Sequence, residues 1–152
     1  AISLGYSLAH ILDDQPFGEA LDEIRKVLKR DGIFVFCVRN AEHLRDDWMR
    51  QIKMDILVNE PNLQLALLCY NFRDNKNPDI LIWNSIWLIK DQGKIDFQVR
   101  THPLRWFRYD PLKRMLEAHG FVLLHTFGDT MGHEPFDSNK HDTILMICRR
   151  GE

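Results

Sequence analysis

The spacing of apolar and polar residues along the chain changes repeatedly, and these changes predict its elements. From Phe17 to Leu28 the apolar residues recur every three or four positions, as in an amphipathic helix. Gly32 then favours the left-handed backbone that ends a helix. The sequence GIFVFCVRN follows, apolar at nearly every position, as in a strand covered on both faces of a parallel sheet. The opening sequence AISLG is the candidate first strand of this βαβ unit, so a right-handed crossover predicts that it pairs in parallel with residues 33–38.

The middle of the chain is rich in strand-forming sequence. LQLALLCYNF, DILIWNSIWLIK and KIDFQVRTH are three such stretches, and in the last one Ile95, Phe97 and Val99 alternate with polar residues. KDQGK supplies a turn with glycine, so we expect an antiparallel hairpin or small meander with one buried face. The preceding sequence HLRDDWMRQI is predicted to be helical or irregular, and NEPN at 59–62 ends it.

The last third of the chain predicts one helix and two strands. In YDPLKRMLEAHGF we expect Asp110 to be the N-cap, Pro111 the first helical residue and Gly120 the stop. FVLLHTFGD and HDTILMICRR follow as an antiparallel pair around a polar loop. The chain therefore predicts an α/β fold of parallel strands plus an antiparallel terminal strand. We interpret 1–152 as one domain with residues 62–102 as a β-rich insertion.

Charge and hydropathy narrow the class of partner. The 152 residues carry a formal net charge of -2, with acidic and basic residues mixed along the chain. This balance argues against binding of nucleic acid or an anionic membrane and favours a small molecule or a protein. The longest apolar run, residues 32–38, is far shorter than the roughly 20 residues of a membrane span. Without a recognisable signal peptide, the expected location is the cytoplasm.

The cysteines and histidines do not predict a metal site. Cys37, Cys69 and Cys148 are widely spaced among apolar residues, so we expect buried free thiols in a reducing compartment. The histidines lack the short spacing of metal ligands on one element.

Several short motifs occur in a fixed order along the chain. They are Leu4, Gly5, Ser7 and His10; Leu28 and Gly32; Arg39 and Asn40; Gly120 and Phe121; Gly128 and Asp129. This order resembles the C-terminal half of class I S-adenosylmethionine-dependent methyltransferases, and it is most similar to the glycine and sarcosine N-methyltransferase group. The resemblance implies a Rossmann-like sheet over 1–152, S-adenosylmethionine as cofactor, and methyl transfer to a small, amino-acid-like amine.

The resemblance also implies where the cofactor is bound. Leu4, Gly5, Tyr6 and His10 match the segment that lines the cofactor site in that family, at the carboxyl end of the first strand. Tyr6 stands where the family has asparagine. Two alternatives remain open, with Leu4 as a core residue and His10 as a histidine satisfied by the backbone.

The substrate site is implied at the end of the second strand. Arg39 matches the family arginine that holds a substrate carboxylate, and Asn40 is its neighbour in the substrate site. The alternatives are an ion pair of Arg39 with Asp46 or Asp47 and an Asn40 that only caps the strand. Aromatic residues are candidates either for the roof of a pocket or for the core; they are Trp83, Trp87, Trp106, Phe107 and Tyr109.

The sequence assigns no catalytic residue. Methyl transfer from a sulfonium to a deprotonated amine needs mainly in-line positioning, so a dedicated base is not required. The glycine-rich turn and the ribose-binding acid of such folds have no counterpart in these 152 residues. We therefore expect a missing N-terminal half or a homo-oligomer as partner. The alternative function is a non-catalytic binding or regulatory subunit that pairs its exposed first strand with another chain.

Overall fold

The computed structural model describes residues 1–43, 49 and 51–152, which divide into two compact units. The sheet–helix unit comprises residues 1–44 and 105–152, and the meander unit comprises residues 45–104. In chain order the described elements are β1 (Ile2–Ser3), α1 (Asp14–Val27), β2 (Ile33–Arg39), β3 (Lys53–Asn59), β4 (Leu63–Arg73), β5 (Ile80–Asp91), β6 (Lys94–Arg105), α2 (Tyr109–Ala118), β7 (Phe121–Phe127) and β8 (Thr143–Arg150).

A four-stranded mixed sheet organises the sheet–helix unit, in the order β1-β2-β8-β7. β1 runs parallel to β2, with Ile2 opposite Val35, which confirms the predicted parallel pairing. β8 runs antiparallel to both β2 and β7, so the predicted antiparallel pair at the end of the chain is also confirmed. The sequence did not predict that β8 inserts between β2 and β7.

One face of this sheet carries the core. Cross-strand pairing places Phe34 beside Cys148, Phe36 beside Met146, and Val38 beside Ile144. The helices cover these side chains with residues that are at most 2% exposed, namely Phe17 and Leu21 of α1 and Leu112 and Leu116 of α2. Burial raises the pKa of the Cys148 thiol to about 12. Cys37 and Cys148 are buried free thiols, as expected, and Cys69 is half-buried.

The opposite face of β2 is covered only towards its carboxyl end. Cys37 is fully buried, Val35 is half-buried, and Ile33 is 40% exposed. The prediction of a strand buried on both faces therefore holds only for its second half. The reason is that the buried side chains of α1 and α2 belong to the cluster on the other face.

Both ends of α1 differ from the predicted ones. The helix begins at Asp14, three residues before the predicted start, and it ends at Val27, one residue before the predicted end. Asp31, with φ 56°, adopts the left-handed conformation that was expected of Gly32. Aspartate tolerates this conformation better than most residues. Glycine is needed at position 32 for another reason, because a Cβ there would lie 2.8 Å from the carbonyl oxygen of Lys29.

Helix α2 also begins earlier than predicted. Its N-cap is Arg108, whose carbonyl oxygen accepts a bond from the Leu112 amide at 3.1 Å. Asp110 is therefore not the N-cap, and both it and Pro111 lie in the first turn, where a missing amide hydrogen costs no helical bond. Gly120, with φ 76°, follows the end of the helix as predicted.

The meander unit contains a second sheet, in the order β3-β4-β5-β6. β4 pairs antiparallel with β3 and with β5. Gln92 and Gly93 join β5 to β6 with φ of 46° and 83°, the backbone of a two-residue hairpin turn. β4, β5 and β6 lie where the three β-rich stretches predicted them, and NEPN forms the turn before β4.

Two sequence expectations fail in or next to this unit. β3 was not predicted, although Met54, Ile56 and Val58 show the alternation of a strand. The predicted burial of one face is wrong for β6, because Ile95, Phe97 and Val99 are 79%, 65% and 57% exposed. The segment predicted to be helical from His43 lies mostly outside the described residues.

Within the described part of the chain, every helix is too short or too polar to cross a lipid bilayer.

Candidate functional site

A left-handed turn follows β1 at the edge where open α/β sheets bind ligands. Gly5 has φ 72° and Tyr6 has φ 63°, and the short 3-10 helix Ser7–His10 begins directly after them. The Ser7 hydroxyl donates to the Leu4 carbonyl at 3.2 Å, and the Ala9 amide donates to the Tyr6 carbonyl at 2.9 Å. A left-handed residue other than glycine or asparagine is strained by about 1 kcal/mol, so contacts of the Tyr6 side chain must hold it there.

The contacts that hold Tyr6 come from β2 and β8. Its hydroxyl lies 3.0 Å from Oγ1 of Thr143. Its ring lies against the Arg39 guanidinium, with Cζ 4.1 Å from the ring centroid. Nη1 of Arg39 donates to Oδ2 of Asp142 at 2.7 Å, and the Trp106 ring centroid is 5.9 Å from the guanidinium. We call these five residues, Tyr6, Arg39, Trp106, Asp142 and Thr143, the Arg39 cluster.

Sheet topology explains how the Arg39 cluster assembles. Parallel β1 and β2 bring their carboxyl ends to one edge, and antiparallel β8 begins at that edge with Thr143 opposite Arg39. Sequence reasoning selected Tyr6, Arg39 and Trp106, but it missed Asp142 and Thr143. The order of β8 between β2 and β7 was the information needed to find them, and the sequence pattern does not contain it.

Arg39 is paired, but with a different acid from those expected. Its partner among the described residues is Asp142, whereas Asp46 and Asp47 lie outside them. The Arg39 side chain remains 27% exposed and that of Asp142 remains 53% exposed. Part of the Arg39 side chain therefore reaches solvent next to the left-handed turn.

Asn40 is buried completely and binds within the protein. Its amide group donates to the carbonyls of Ser138 and His141, both at 2.7 Å, and its Oδ1 accepts from the Glu42 amide at 3.0 Å. This arrangement favours the capping role over direct contact with a substrate. Asn40 ties the end of β2 to the loop that leads into Asp142.

The residues expected to bind cofactor lie at or near the turn. Leu4 is 48% exposed, which argues against the core alternative. An added Cβ at Gly5 would meet no atom within 4 Å, so the backbone there faces open space. His10 is exposed at the end of the short 3-10 helix. Leu4 and Gly5 thus line the open side of the turn.

The loop between β7 and β8, residues 128–142, is shaped by a carboxylate at its start. Asp129 accepts from the amides of Glu134 at 2.7 Å, Met131 at 2.6 Å and His133 at 3.1 Å. These bonds, first that of Glu134, hold the pKa of Asp129 below its usual value. The Gly128–Asp129 pair of the motif set therefore organises the loop.

The ring of His141 closes the other end of this loop. Its Nδ1 accepts from the Asp137 amide at 3.0 Å, so Nε2 carries the hydrogen of the neutral ring and donates to Glu134 at 3.0 Å. The bond from His141 and the charge of Lys140 hold the pKa of Glu134 below its usual value. His141 is adjacent to Asp142, so this loop sets the position of the Arg39 partner.

Of the other candidate aromatic residues, two make ring contacts within the sheet–helix unit and two belong to the meander unit. Phe107 packs in the core, 5.0 Å from the Phe17 ring, and Tyr109 lies 5.1 Å from Phe136. Trp83 and Trp87 belong to the meander unit. Over residues 1–43, 49 and 51–152, no group of three or more histidine, cysteine or acidic side chains is arranged to hold a metal ion.

The sequence of the chain was compared with protein-family models and with curated proteins. No protein-family model matches the chain. An uncharacterized protein of Methanocaldococcus jannaschii is 29% identical over 126 residues, which cover 83% of this chain and 42% of that protein. The chain therefore spans less than half the length of this curated relative.

Three solved structures show the fold. An S-adenosylmethionine-dependent methyltransferase from Clostridium acetobutylicum has a TM-score of 0.77 and 13% identity, over 99% of this chain and 57% of that one. The sugar N-methyltransferase KedS8 from Streptoalloteichus has a TM-score of 0.78 and 18% identity, over 99% of this chain and 55% of that one. The third structure is the amino pentose methyltransferase CalS10 from Micromonospora echinaspora, bound to S-adenosylmethionine. It has a TM-score of 0.69 and 15% identity, over 98% of this chain and 56% of that one. The chain thus has a mixed α/β, Rossmann-like fold shared with somewhat more than half of each methyltransferase.

Proposed function

We propose that the protein containing this chain transfers a methyl group from S-adenosylmethionine to the nitrogen of a small, amino-acid-like substrate. The observation that carries the proposal is the left-handed Gly5–Tyr6 turn beside Arg39, at the carboxyl ends of two parallel strands. Ligands of open α/β sheets bind at this edge. The methyltransferase neighbours and the ordered motifs support the same function.

The residues at the turn fit part of a cofactor site. S-adenosylmethionine, when bound, supplies a methyl group on a positively charged sulfonium. Leu4 offers exposed apolar surface, and the Gly5 backbone is open to close approach because no atom lies where a Cβ would point. Tyr6 and His10 complete the segment that we assign to the cofactor. The contacts of the Tyr6 side chain keep the turn in its strained conformation.

Arg39 is the residue that we assign to the substrate. Its guanidinium is positioned by the Tyr6 ring and by the bond from Nη1 to Asp142, and the N–H groups of Nε and Nη2 can donate two parallel hydrogen bonds to a carboxylate. Such a bond would orient the amine of the substrate. Asn40 acts through the loop that positions Asp142. Methyl transfer then depends on alignment, and the chain need supply no strong base.

The first test is calorimetric titration of the intact, full-length protein with S-adenosylmethionine. We expect binding with a 1:1 stoichiometry per chain. Transfer of a labelled methyl group to one of a panel of small amines, with and without carboxylates, would identify the substrate class. Absence of cofactor binding by the folded intact protein would overturn the proposal. It would favour the alternative, a non-catalytic subunit that pairs β1 with another chain, since Ile2 of that edge strand is 74% exposed.

The second test concerns the carboxylate. Arg39→Lys keeps the charge but removes the planar fork, so we expect the substrate KM to rise about tenfold while the cofactor Kd stays unchanged. Arg149→Lys is the matched control, because Arg149 is an arginine of the same sheet that pairs with Asp31 instead. If Arg39→Lys leaves the substrate KM unchanged, the carboxylate assignment fails even where methyl transfer itself survives.

A further inference from the structure

The side chain of His141 closes a short turn inside the loop at residues 128–142. The His141 amide donates to the Asp137 carbonyl at 3.0 Å, and the Asp137 amide donates to Nδ1 of the His141 ring, also at 3.0 Å. One main-chain bond and one bond to an imidazole nitrogen therefore close the turn. The second bond requires a lone pair on Nδ1, which the ring loses when it takes up a second proton.

Packing keeps the His141 ring in this place. The side chain is only 12% exposed, and a Cβ at Gly128 would lie 2.2 Å from its Cγ. Its Nε2 is bonded to Glu134 at 3.0 Å. A ring held at both nitrogens and against a main chain has little freedom to rotate. The loop backbone must therefore accommodate the loss of the Nδ1 bond.

The turn leads directly into the partner of Arg39. Asp142 follows His141 in the chain, and its Oδ2 accepts from Nη1 of Arg39 at 2.7 Å. The Asn40 amide group donates to the carbonyls of Ser138 and His141, which the closed turn brings within reach of one side chain. Opening of the turn therefore disturbs both bonds from Asn40 and shifts the main chain at Asp142.

Charged groups act on the ring from several elements. They are Asp129 after β7, Glu134, Asp137 and Lys140 in the loop, Asp142 before β8, and Arg39 and His43 at or after the end of β2. The bond from His141 and the charge of Lys140 hold the pKa of Glu134 below its usual value, so Glu134 stays ionised where histidine titrates. Its bond with Nε2 becomes charge-assisted when the ring is protonated. Protonation thus removes the bond from the Asp137 amide and keeps the bond to Glu134.

We infer that His141 is a positioning residue for Arg39, and that a second proton on its ring opens the turn and loosens the pair between Asp142 and Arg39. Histidine ordinarily changes charge between about pH 5 and 8, so the pair is held at the upper end of this range and loosened at the lower end. The consequence for the substrate rests on the proposed function. An Arg39 guanidinium that has lost its Nη1 partner is less ordered, so it should bind a carboxylate about fivefold more weakly.

His43 provides a matched control on the same loop. Its Nδ1 lies 3.0 Å from the carbonyl oxygen of Asn139, so Nδ1 carries the hydrogen and donates. A second proton on His43 goes to Nε2 and leaves this bond intact. Protonation of His43 therefore keeps its contact with the loop, whereas protonation of His141 breaks one.

The test is an NMR titration of the intact protein between about pH 5 and 8, with isotope-labelled histidine and arginine side chains. The His141 ring, the Asp137 amide and the Arg39 guanidinium should change with one shared midpoint. His141→Asn supplies an acceptor oxygen near the position of Nδ1 at every pH, so the Arg39 signal should stay constant. His141→Gln reaches Glu134 without an acceptor at Nδ1, so Arg39 should show its low-pH signal throughout. His43→Asn should leave the Arg39 titration unchanged.

Kinetics distinguish this inference from the proposed function. For the amine that labelled methyl transfer identifies, lowering the pH from about 8 to about 5 should raise KM about fivefold more in the wild type than in His141→Asn. An Arg39 signal that does not follow the His141 ring, or that still titrates in folded His141→Asn, would overturn the inference even in an active methyltransferase. A coupled titration in a protein that transfers no methyl group would support the inference and count against the proposed function alone.

Thermal unfolding and circular dichroism check that the variants are folded. If His141→Asn does not fold, the wild type and His43→Asn still decide. An Arg39 titration that disappears in His43→Asn would then overturn the inference, and one that persists there with the midpoint of the His141 ring would support it.

Discussion

Tyr6 has a left-handed backbone conformation that is unfavourable for tyrosine. Asparagine, which the similar methyltransferases have at this position, adopts that conformation more readily. The bond to Thr143 and the stacking of Arg39 on the Tyr6 ring compensate for this strain. Strained residues of this kind persist where the surrounding structure over-determines them, and they concentrate at functional sites. Tyr6 is therefore better explained as part of the Arg39 cluster than as an ordinary turn residue.

Asn40 lies next to Arg39 and stabilises the loop that positions Asp142. Asn40→Ala should destabilise the protein by about 2 kcal/mol, because it leaves the Glu42 amide and two loop carbonyls without their partner. Chemical denaturation measures the change in the free energy of unfolding. Asn139→Ala in the same loop is the control, since Asn139 is exposed and its bonds to Asp137 and His43 use main-chain atoms. Equal stability of the two variants would contradict the structural role of Asn40.

The loop at residues 128–142 is the element that completes the Arg39 cluster. Its shape depends on hydrogen bonds at both ends. The Asp129 carboxylate accepts them at the start of the loop, and the His141 ring makes them at its end. Gly128 lies against that ring, and the ring is only 12% exposed. The loop is thus held rigidly enough to position Asp142 beside Arg39.

A pair of glycine variants tests this element. Gly128→Ala should lower the free energy of unfolding by about 2 kcal/mol or more, because the new Cβ would lie 2.2 Å from Cγ of a ring bonded at both nitrogens. Gly18→Ala in α1 would also approach a histidine, with Cβ 2.7 Å from Nε2 of His119. The His119 ring is bonded through Nδ1 to Asp22 at 2.8 Å, so it must shift, but alanine favours the helix by up to about 1 kcal/mol and offsets part of that cost. We therefore expect Gly18→Ala to lower the thermal unfolding temperature less than Gly128→Ala does. A smaller loss for Gly128→Ala than for Gly18→Ala would show that the loop is not held by the His141 ring.

Secondary elements differ in how well the sequence predicts them. β2 and β4 to β8 were predicted because each has a continuous apolar run or a clear alternation. Helix starts were misplaced by three residues in α1 and two in α2, because the N-caps are Asp13 and Arg108 and the apolar spacing does not mark them. Alternation alone does not say whether an apolar face is covered, and for this reason the burial predicted for β6 was wrong.

At the scale of the whole molecule, the two units carry different surface features. The sheet–helix unit carries the candidate site at the carboxyl ends of its parallel strands, and the meander unit carries exposed apolar side chains on β6. The neighbouring methyltransferases are somewhat less than twice as long as the region they share with this chain. Cofactor binding is accordingly a question for the intact protein.

The sequence by itself determined most of the elements, their order and the parallel pairing of β1 with β2, because these follow from local periodicity and from the handedness of the crossover. Tyr6 and Arg39 were selected through the ordered motifs and the family resemblance that those motifs carry. Only the tertiary structure decided that Ile95, Phe97 and Val99 of β6 are exposed, because alternation does not show what covers a face. It also decided that β8 lies beside β2 and brings Asp142 and Thr143 to Arg39, and that Asn40 binds the loop. The contacts of Arg39 and Asn40 join residues about 100 positions apart, which local pattern does not encode.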